Sequence, residues 1–401
     1  MIDLMDEAKK LEETIIEHRR YLHQYPELGM DLPITTSYVK EKLIEMGYEP
    51  KEICDSGIVT TVGGKKPGKT FLLRADMDAL PIEETLDLPY KSKTENMHAC
   101  GHDFHTAMLL GAAEILKKHE DEINGTVKLM FQPGEEIFTG AKTMIENGLL
   151  ENPKVDAAVM IHVRPGVDAQ PGTVIGTSAL EGAAASDQFT ITVQGKGGHG
   201  AMPDTTVDPL NVAAHLHIAL QEINAREVHP SEFMVLTVGQ IHGGNAANII
   251  PDTATLSGTI RTYKSDIREF VKKRLVEVSN GVASTFRASV DVEFSKGCPS
   301  VLNDKELLSD LNEYLYKLLG DEGYFNASDF PELHLERMSG SEDFAYISEK
   351  VPSVMLRLAV GRLEDGYTYP QHHPMVTFDE RALYKGAGVY ASVAMEWLRN
   401  N

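Results

Sequence analysis

The sequence predicts an α/β protein that carries an inserted α+β unit of ferredoxin-like order. Three observations point there. Short apolar strands at Thr70–Arg74, Thr126–Gln132 and Val155–Ile161 alternate with segments of helical periodicity. Between residues 186 and 296 the pattern changes to β-α-β-β-α-β, the order of a split βαβ unit. After it, βα alternation resumes. At 401 residues the chain is long for one core, so more than one domain is expected. The boundaries read as 1–185 for the first part of the α/β domain, 186–296 for the insertion, and 297–401 for the second part.

Taken in order, residues 2–23 place Leu4, Ala8, Leu11, Ile15, Ile16 and Leu22 at helical spacing. Pro26 follows, and 23–29 reads as a loop, with His23 near a helix C-terminus where the dipole suits it. Residues 34–46 read as a second helix and Ile58–Val62 as a strand. Thr106–Leu116 is Ala-rich and apolar, so it reads as a helix. In the insertion, strands are expected at Ser186–Gln194, Phe233–Ile241, Thr253–Arg261 and Ala288–Phe294, with helices at Asp208–Asn224 and Ile267–Thr285. Beyond it, Ser341-Glu342-Asp343 resembles an N-cap with an acidic first turn. Ser353–Ala359 reads as a strand and Glu380–Leu398 as the last helix.

Composition excludes several classes. The net charge of −22 argues against nucleic acid and anionic membrane surfaces as partners. No apolar run approaches the ~20 residues that span a bilayer. The three cysteines, Cys54, Cys100 and Cys298, are odd in number and widely spaced, which points to a reducing compartment. The N-terminus is charged and periodic, without a leader pattern, so the cytoplasm is expected.

Chemistry concentrates at strand ends. Cys100 and His102 are two apart, so an extended segment would project both to one side, and the intervening Gly101 would let the backbone come close to an ion. A thiolate with an imidazole suits a borderline-soft divalent ion. Asp76 and Asp78 follow a short strand, where they could bind metal, orient a histidine or cap a turn. Glu135-Glu136 follows a buried strand and a Pro-Gly turn, and His162 ends the third strand. His372-His373 lies in a loop before the last helix; a ligand and an exposed turn histidine are both open readings. Three strand ends and the segment between two of them thus converge on one metal site.

Six motifs then occur in order: Arg74-Ala-Asp-Met-Asp-Ala-Leu-Pro81, His98-Ala-Cys-Gly-His-Asp-Phe-His105, Phe131-Gln-Pro-Gly-Glu-Glu136, Gly198-His-Gly-Ala-Met-Pro203, Asn248-Ile-Ile-Pro251 and His372-His-Pro374. With these the chain resembles an amidohydrolase of the aminoacylase/carboxypeptidase metallopeptidase family (peptidase family M20). It is most similar to the branch of hippurate hydrolases, indole-acetyl-amino-acid hydrolases and N-acetyl-diaminopimelate deacetylases, and the likeness covers nearly the full length. The resemblance implies a metallopeptidase-type catalytic domain with a mixed sheet, split by a ferredoxin-like lid that forms a homodimer contact.

It also implies two divalent ions per subunit, Zn²⁺ or Mn²⁺, with Co²⁺ or Ni²⁺ able to serve. Cys100 matches the bridging ligand, with His102, Glu136, His162 and His372 as terminal ligands and Glu135 as general base. Peptidase branches carry His-x-Asp after the first strand; this chain has Asp76-Met77-Asp78, with His102 supplying the imidazole. Asp78 then matches a residue accepting a hydrogen bond from a metal-bound histidine. Spacing from Pro374 favours His372 over His373. On the lid, His199 matches a donor to the oxyanion, often supplied by the partner subunit. Asn248 and Arg261 match substrate-holding positions, a strand-end salt bridge being the other reading of Arg261, and Gly340 matches a pocket position.

The expected activity is metal-dependent hydrolysis of N-acyl amino acids. A dipeptidase or carboxypeptidase on the same site is the alternative, and a non-catalytic metal-binding dimer is a third reading. The acyl group and the amino acid are not read from these motifs.

Overall fold

The computed structural model describes residues 3–333, 335 and 337–401. They form two compact units: the chain up to Gly182 with Leu302–Arg337 and Asp343–Asn401, and a second made of Ala183–Val301 with Met338–Glu342.

The first unit is built on an eight-stranded mixed sheet. Its order is Lys51–Cys54, Gly57–Gly63, Thr126–Gln132, Thr70–Asp76, Ala157–Arg164, Ser353–Ala359, Val174–Gly176 and Tyr324–Asn326. The four strands from Thr126–Gln132 to Ser353–Ala359 are mutually parallel. Every residue of Thr70–Asp76 is buried, as a central strand covered on both faces requires. Helices Leu4–Lys10, Glu12–Gln24, His102–Lys118 and Leu383–Asn400 pack together, and the last two also pack on Thr70–Asp76. Their apolar faces join one core that contains Phe71, Phe104, Leu109 and Tyr390. Because the central strands are parallel, their carboxyl ends meet along one edge, where loops can carry a site.

The second unit has the expected βαββαβ order. Its four-stranded antiparallel sheet runs Met234–Gly243, Thr253–Thr262, Ala185–Gln194, Ser289–Cys298. Helices Pro209–Glu222 and Ser265–Thr285 close a separate core around Phe189, Leu216, Leu256 and Leu275. The unit is wider than 186–296, and it takes in Met338–Glu342 because Ala184 N–H donates to both Met338 O and Gly340 O, each at 3.0 Å.

Several elements differ from the sequence reading. The helix expected over 2–23 is two helices, Leu4–Lys10 and Glu12–Gln24 (Ile2 lies outside the described residues). Apolar spacing continues through the break at Leu11, so periodicity could not reveal it. His162 lies within its strand rather than after it, since pairing with Ser353–Ala359 extends to Arg164. The helix after residue 344 is a single turn, Ala345–Ser348. Ser341 does not cap it: the N-cap position is Phe344, with no side-chain cap, and the Ser341 hydroxyl accepts a hydrogen bond from Arg261 instead.

The helix Lys305–Gly323 was not delimited from the sequence. Its signals were present: Asp304 accepts from the N–H groups of Glu306 and Leu307, and Leu307, Leu308, Leu311 and Leu315 line one buried face.

Candidate active site

Cys100 and His102 do not converge through an extended segment. His102 opens the helix His102–Lys118, and Gly101 precedes it in the left-handed conformation (φ 93°), which turns the chain between the two side chains. Asp76 ends one parallel strand, Glu135 and Glu136 follow the next, and His162 sits near the end of the third.

These residues meet. Cys100 Sγ lies 3.7 Å from His162 Nε2. His102 Nε2 lies 3.9 Å from both Glu135 Oε2 and Glu136 Oε1, and His372 Nε2 is 3.6 Å from Glu136 Oε1. Two groups of potential ligands, Cys100/His102/His162 and Cys100/Glu136/His372, share the Cys100 thiol. His373 turns elsewhere: its Nδ1 accepts the Met375 N–H at 3.1 Å and its ring stacks on Tyr369. His372 adopts φ 65°, unusual for a residue other than glycine, while its N–H donates to Ala99 O at 3.0 Å.

Main-chain carbonyls set the tautomers. His102 Nδ1 donates to Asp78 O at 2.8 Å, and His162 Nδ1 donates to Val163 O at 2.9 Å. In each neutral ring the Nε2 lone pair is thereby turned into the cluster. His102 Nε2 is buried and makes no hydrogen bond among the described residues. A buried, unpartnered imidazole nitrogen that a cation can occupy in place of a proton, a thiol, a second imidazole and a carboxylate at these separations fit a divalent cation.

Asp78 acts differently from the expectation. Its carbonyl, not its carboxylate, receives the close His102 bond; the nearest carboxylate oxygen is 3.5 Å from Nδ1. The carboxylate instead accepts the main-chain N–H groups of Glu135 and Glu136 at 3.0 and 3.1 Å. One residue therefore orients the imidazole and holds the glutamate turn.

The electrostatics are those of a cluster built around positive charge. Burial, with Glu136 adding to it, pushes the Cys100 thiol up to about 12. Burial disfavours charge on His102, but Asp76 and Cys100 outweigh it and hold this imidazole well above its usual range. Burial and neighbouring His105 hold His162 well below it.

Under the cluster lies a buried ionic layer that the sequence reading missed in part. Arg74 bonds Asp76 at 2.7 Å, Asp343 at 3.1 Å and Gln132 at 2.8 Å. Asp343 also accepts from Gln132 Nε2 at 2.6 Å and Ala141 N–H at 2.9 Å, and its own N–H reaches Glu135 Oε1 at 3.4 Å. Asp343 reads in the sequence as part of an acidic first helix turn; only the tertiary fold brings it to Arg74, 269 residues away.

Residues 72–396 match the family described as Peptidase family M20/M25/M40. The chain belongs to that family. It is an amidohydrolase, and it is 38% identical over 394 residues to N-acetyl-L-cysteine deacetylase of Bacillus subtilis (strain 168), covering 98% of this chain and 90% of that one. It is 36% identical over 400 residues to Thermostable carboxypeptidase 1 of Saccharolobus solfataricus, covering 98% of each. Its fold matches the crystal structure of Bacillus subtilis YXEP protein, described as a dinuclear metal binding peptidase from M20 family. The TM-score is 0.82 at 31% identity, over 98% of this chain and 100% of that one.

In this M20 chain the remaining expected site residues lie in the second unit and form two separate pairs. His199 lies in a two-residue strand opposite Ile249, beside Asn248, whose carbonyl accepts the Gly200 N–H at 2.9 Å. His199 Nδ1 accepts the Ala201 N–H at 3.1 Å, so the exposed ring presents Nε2 outward as a donor. Arg261 donates to Ser341 Oγ, near Gly340, so the salt bridge weighed from sequence is a hydrogen bond to a hydroxyl. The loop with His199 leaves the sheet opposite Thr253, whereas Arg261 sits eight residues further along that strand, about 26 Å away at ~3.3 Å per residue.

Gly101 provides a test of the local geometry. A Cβ there would lie 2.5 Å from Val163 Cγ2, on a backbone with φ 93°. Gly101→Ala is expected to cost about 1–3 kcal/mol in the metal-free protein. Denaturant midpoints check this, and an unchanged midpoint would refute it.

Proposed function

We propose that this chain hydrolyses the amide bond of N-acyl amino acids at a two-ion centre, with Glu135 as general base. The observation that carries the reading is the sharing of Cys100 by two ligand groups, with Glu135 beside them, grouped with His102 and Glu136 rather than with the thiol. Cys100, His102 and His162 would hold one ion, and Cys100, Glu136 and His372 the other. Bound there, divalent ions polarise a carbonyl and acidify water. The thiolate favours Zn²⁺, with Mn²⁺, Co²⁺ and Ni²⁺ as alternatives set by availability.

Glu135 takes a proton from the attacking water and returns it to the departing nitrogen. Asp78 steadies that turn through the Glu135 and Glu136 N–H groups. His199 Nε2 donates to the oxyanion, Asn248 and Arg261 hold the substrate's carbonyl and carboxylate, and Gly340 lines the amino-acid pocket. The separation of the His199 pair, in its own two-stranded sheet, from the Arg261 pair on the four-stranded sheet supports supply of His199 by the second subunit of a homodimer formed through the inserted domain, residues 186–296 in the sequence reading. The three free cysteines support a reducing, cytoplasmic setting.

The carboxypeptidase relative favours a second reading, in which the acyl group is itself a peptide. Both readings are tested by one panel: N-acetyl-, N-benzoyl- and N-peptidyl-amino acids, assayed with Mn²⁺ or Zn²⁺ and with chelator. Metal-dependent release of amino acid from the simple acyl compounds is the expected result. Preference for the peptides would favour the second reading. Absence of release throughout would overturn both and leave a metal-binding dimer without catalysis.

A further inference from the structure

Gln371 is used by none of the roles above, yet its amide reaches two of the ligand-bearing segments. Nε2 lies 2.7 Å from Cys100 O, 3.3 Å from Val163 O and 3.6 Å from Cys100 Sγ. All three neighbours are acceptors, so the amide nitrogen rather than its oxygen must face them. Two protons are available on that nitrogen. One serves the short bond to Cys100 O, and the other lies between Val163 O and the sulfur.

Each contact bears on a ligand. Val163 O is the group that accepts the His162 Nδ1–H at 2.9 Å and so sets that ring's tautomer. The N–H of Val163 is held in turn by His105 Nε2 at 3.0 Å, and His105 Nδ1 donates to Asp76 at 2.6 Å. The Val163 main chain is thus held at both its N–H and its carbonyl. The next residue after Gln371 is His372, whose left-handed backbone is kept in place by its N–H on Ala99 O. A simple loop anchor would need one bond to any nearby carbonyl. This side chain instead joins Cys100, the carbonyl behind His162, and the base of the His372 turn.

We infer that Gln371 is a positioning residue of the metal centre, holding Cys100, His162 and His372 in one arrangement and giving the Cys100 sulfur an N–H donor. The inference rests on the two-ion reading of the site. Partners that orient metal-ligating side chains typically affect metal affinity about 10–100-fold.

The test is a Co²⁺ titration of the full-length protein after chelation, following thiolate-to-Co²⁺ charge-transfer absorption in the near ultraviolet. Wild type, Gln371→Met, Gln371→Glu and Cys100→Ser are compared. Methionine keeps length and volume without a donor; glutamate keeps shape but offers only acceptors. Thermal unfolding of the metal-free proteins shows which variants are folded, and either Gln371 variant suffices alone.

The expected result is a charge-transfer band in wild type that is lost in Cys100→Ser. Gln371→Met should weaken Co²⁺ binding about 10-fold or more and move the band, with Gln371→Glu weaker still. Variants that match wild type in affinity and band would overturn the positioning role while leaving the metal centre intact. A wild-type titration with no sulfur band at all would overturn the two-ion reading and this inference together.

Discussion

Glu135→Gln is expected to lower kcat by about 10²–10⁴, the usual contribution of a general acid–base group, with bound metal unchanged. The substitution is nearly isosteric and leaves the main chain alone, so the Asp78 bonds to the Glu135 and Glu136 N–H groups persist. What disappears is the ability to accept a proton from water. Glu136→Gln should behave differently, because Glu136 shares a ligand group with Cys100 and His372. There, metal content should fall together with activity. Turnover and metal content measured on both variants separate the two carboxylates. Glu135→Gln turnover within tenfold of wild type would remove Glu135 from the role of base, and loss of metal from that variant would make it a ligand.

Why these carboxylates were visible in the sequence, and others were not, follows from how each is placed. Glu135, Glu136 and His162 lie at or near the ends of buried strands, and strand burial is written locally as apolar runs. Cys100 and His102 were visible as residue types. Their convergence was misread because the turn comes from the left-handed Gly101 rather than an extended segment. Asp78 was noticed, but not that its carbonyl and carboxylate serve different partners, since side-chain and main-chain roles share one letter. Asp343, Gln371 and the His105–Asp76 pair depend on contacts between segments far apart in the chain. Asp343 even carried a sufficient local explanation as an acidic residue in a first helix turn. The fold class was legible from periodicity, and the βαββαβ order in particular, because its strands and helices keep their apolar spacing over most of their length, despite irregularities at Val238–Gln240 and Phe294–Lys296. The break at Leu11 left no trace, since a helix can tighten for one residue without disturbing the spacing of its apolar face.

The metal-free protein is expected to lose stability steeply as pH falls below 6.5, and His98→Leu should remove much of that loss. His98 is buried, and neither ring nitrogen has a hydrogen-bond partner among the described residues. Burial, opposed in part by Asp103, lowers its pKa from 6.5 to about 3. Unfolding therefore lets this imidazole bind a proton that the folded state refuses. The contribution is fully present above pH 6.5 and is lost as pH falls towards 3, at about 1.4 kcal/mol per pH unit. His18, lowered to about 4 by burial and then Lys42, adds a second slope of the same sign. His23 has the opposite sign: burial and Arg19 oppose its charge, but bonds to Asp103 and Glu84 raise its pKa overall, so its contribution holds at low pH and fades as pH rises through the folded value. Over the two units below 6.5, His98 and His18 together would cost about 5 kcal/mol, against a usual total of about 5–15. Denaturant unfolding of metal-free wild type and His98→Leu at pH 7, 5.5 and 4.5 reads the difference directly. The leucine should cost little at pH 7, because no hydrogen bond is removed, and should flatten the dependence by about 1.4 kcal/mol per unit. Parallel curves for the two proteins would mean that His98 takes up its proton in the folded state and that its burial has no part in acid unfolding.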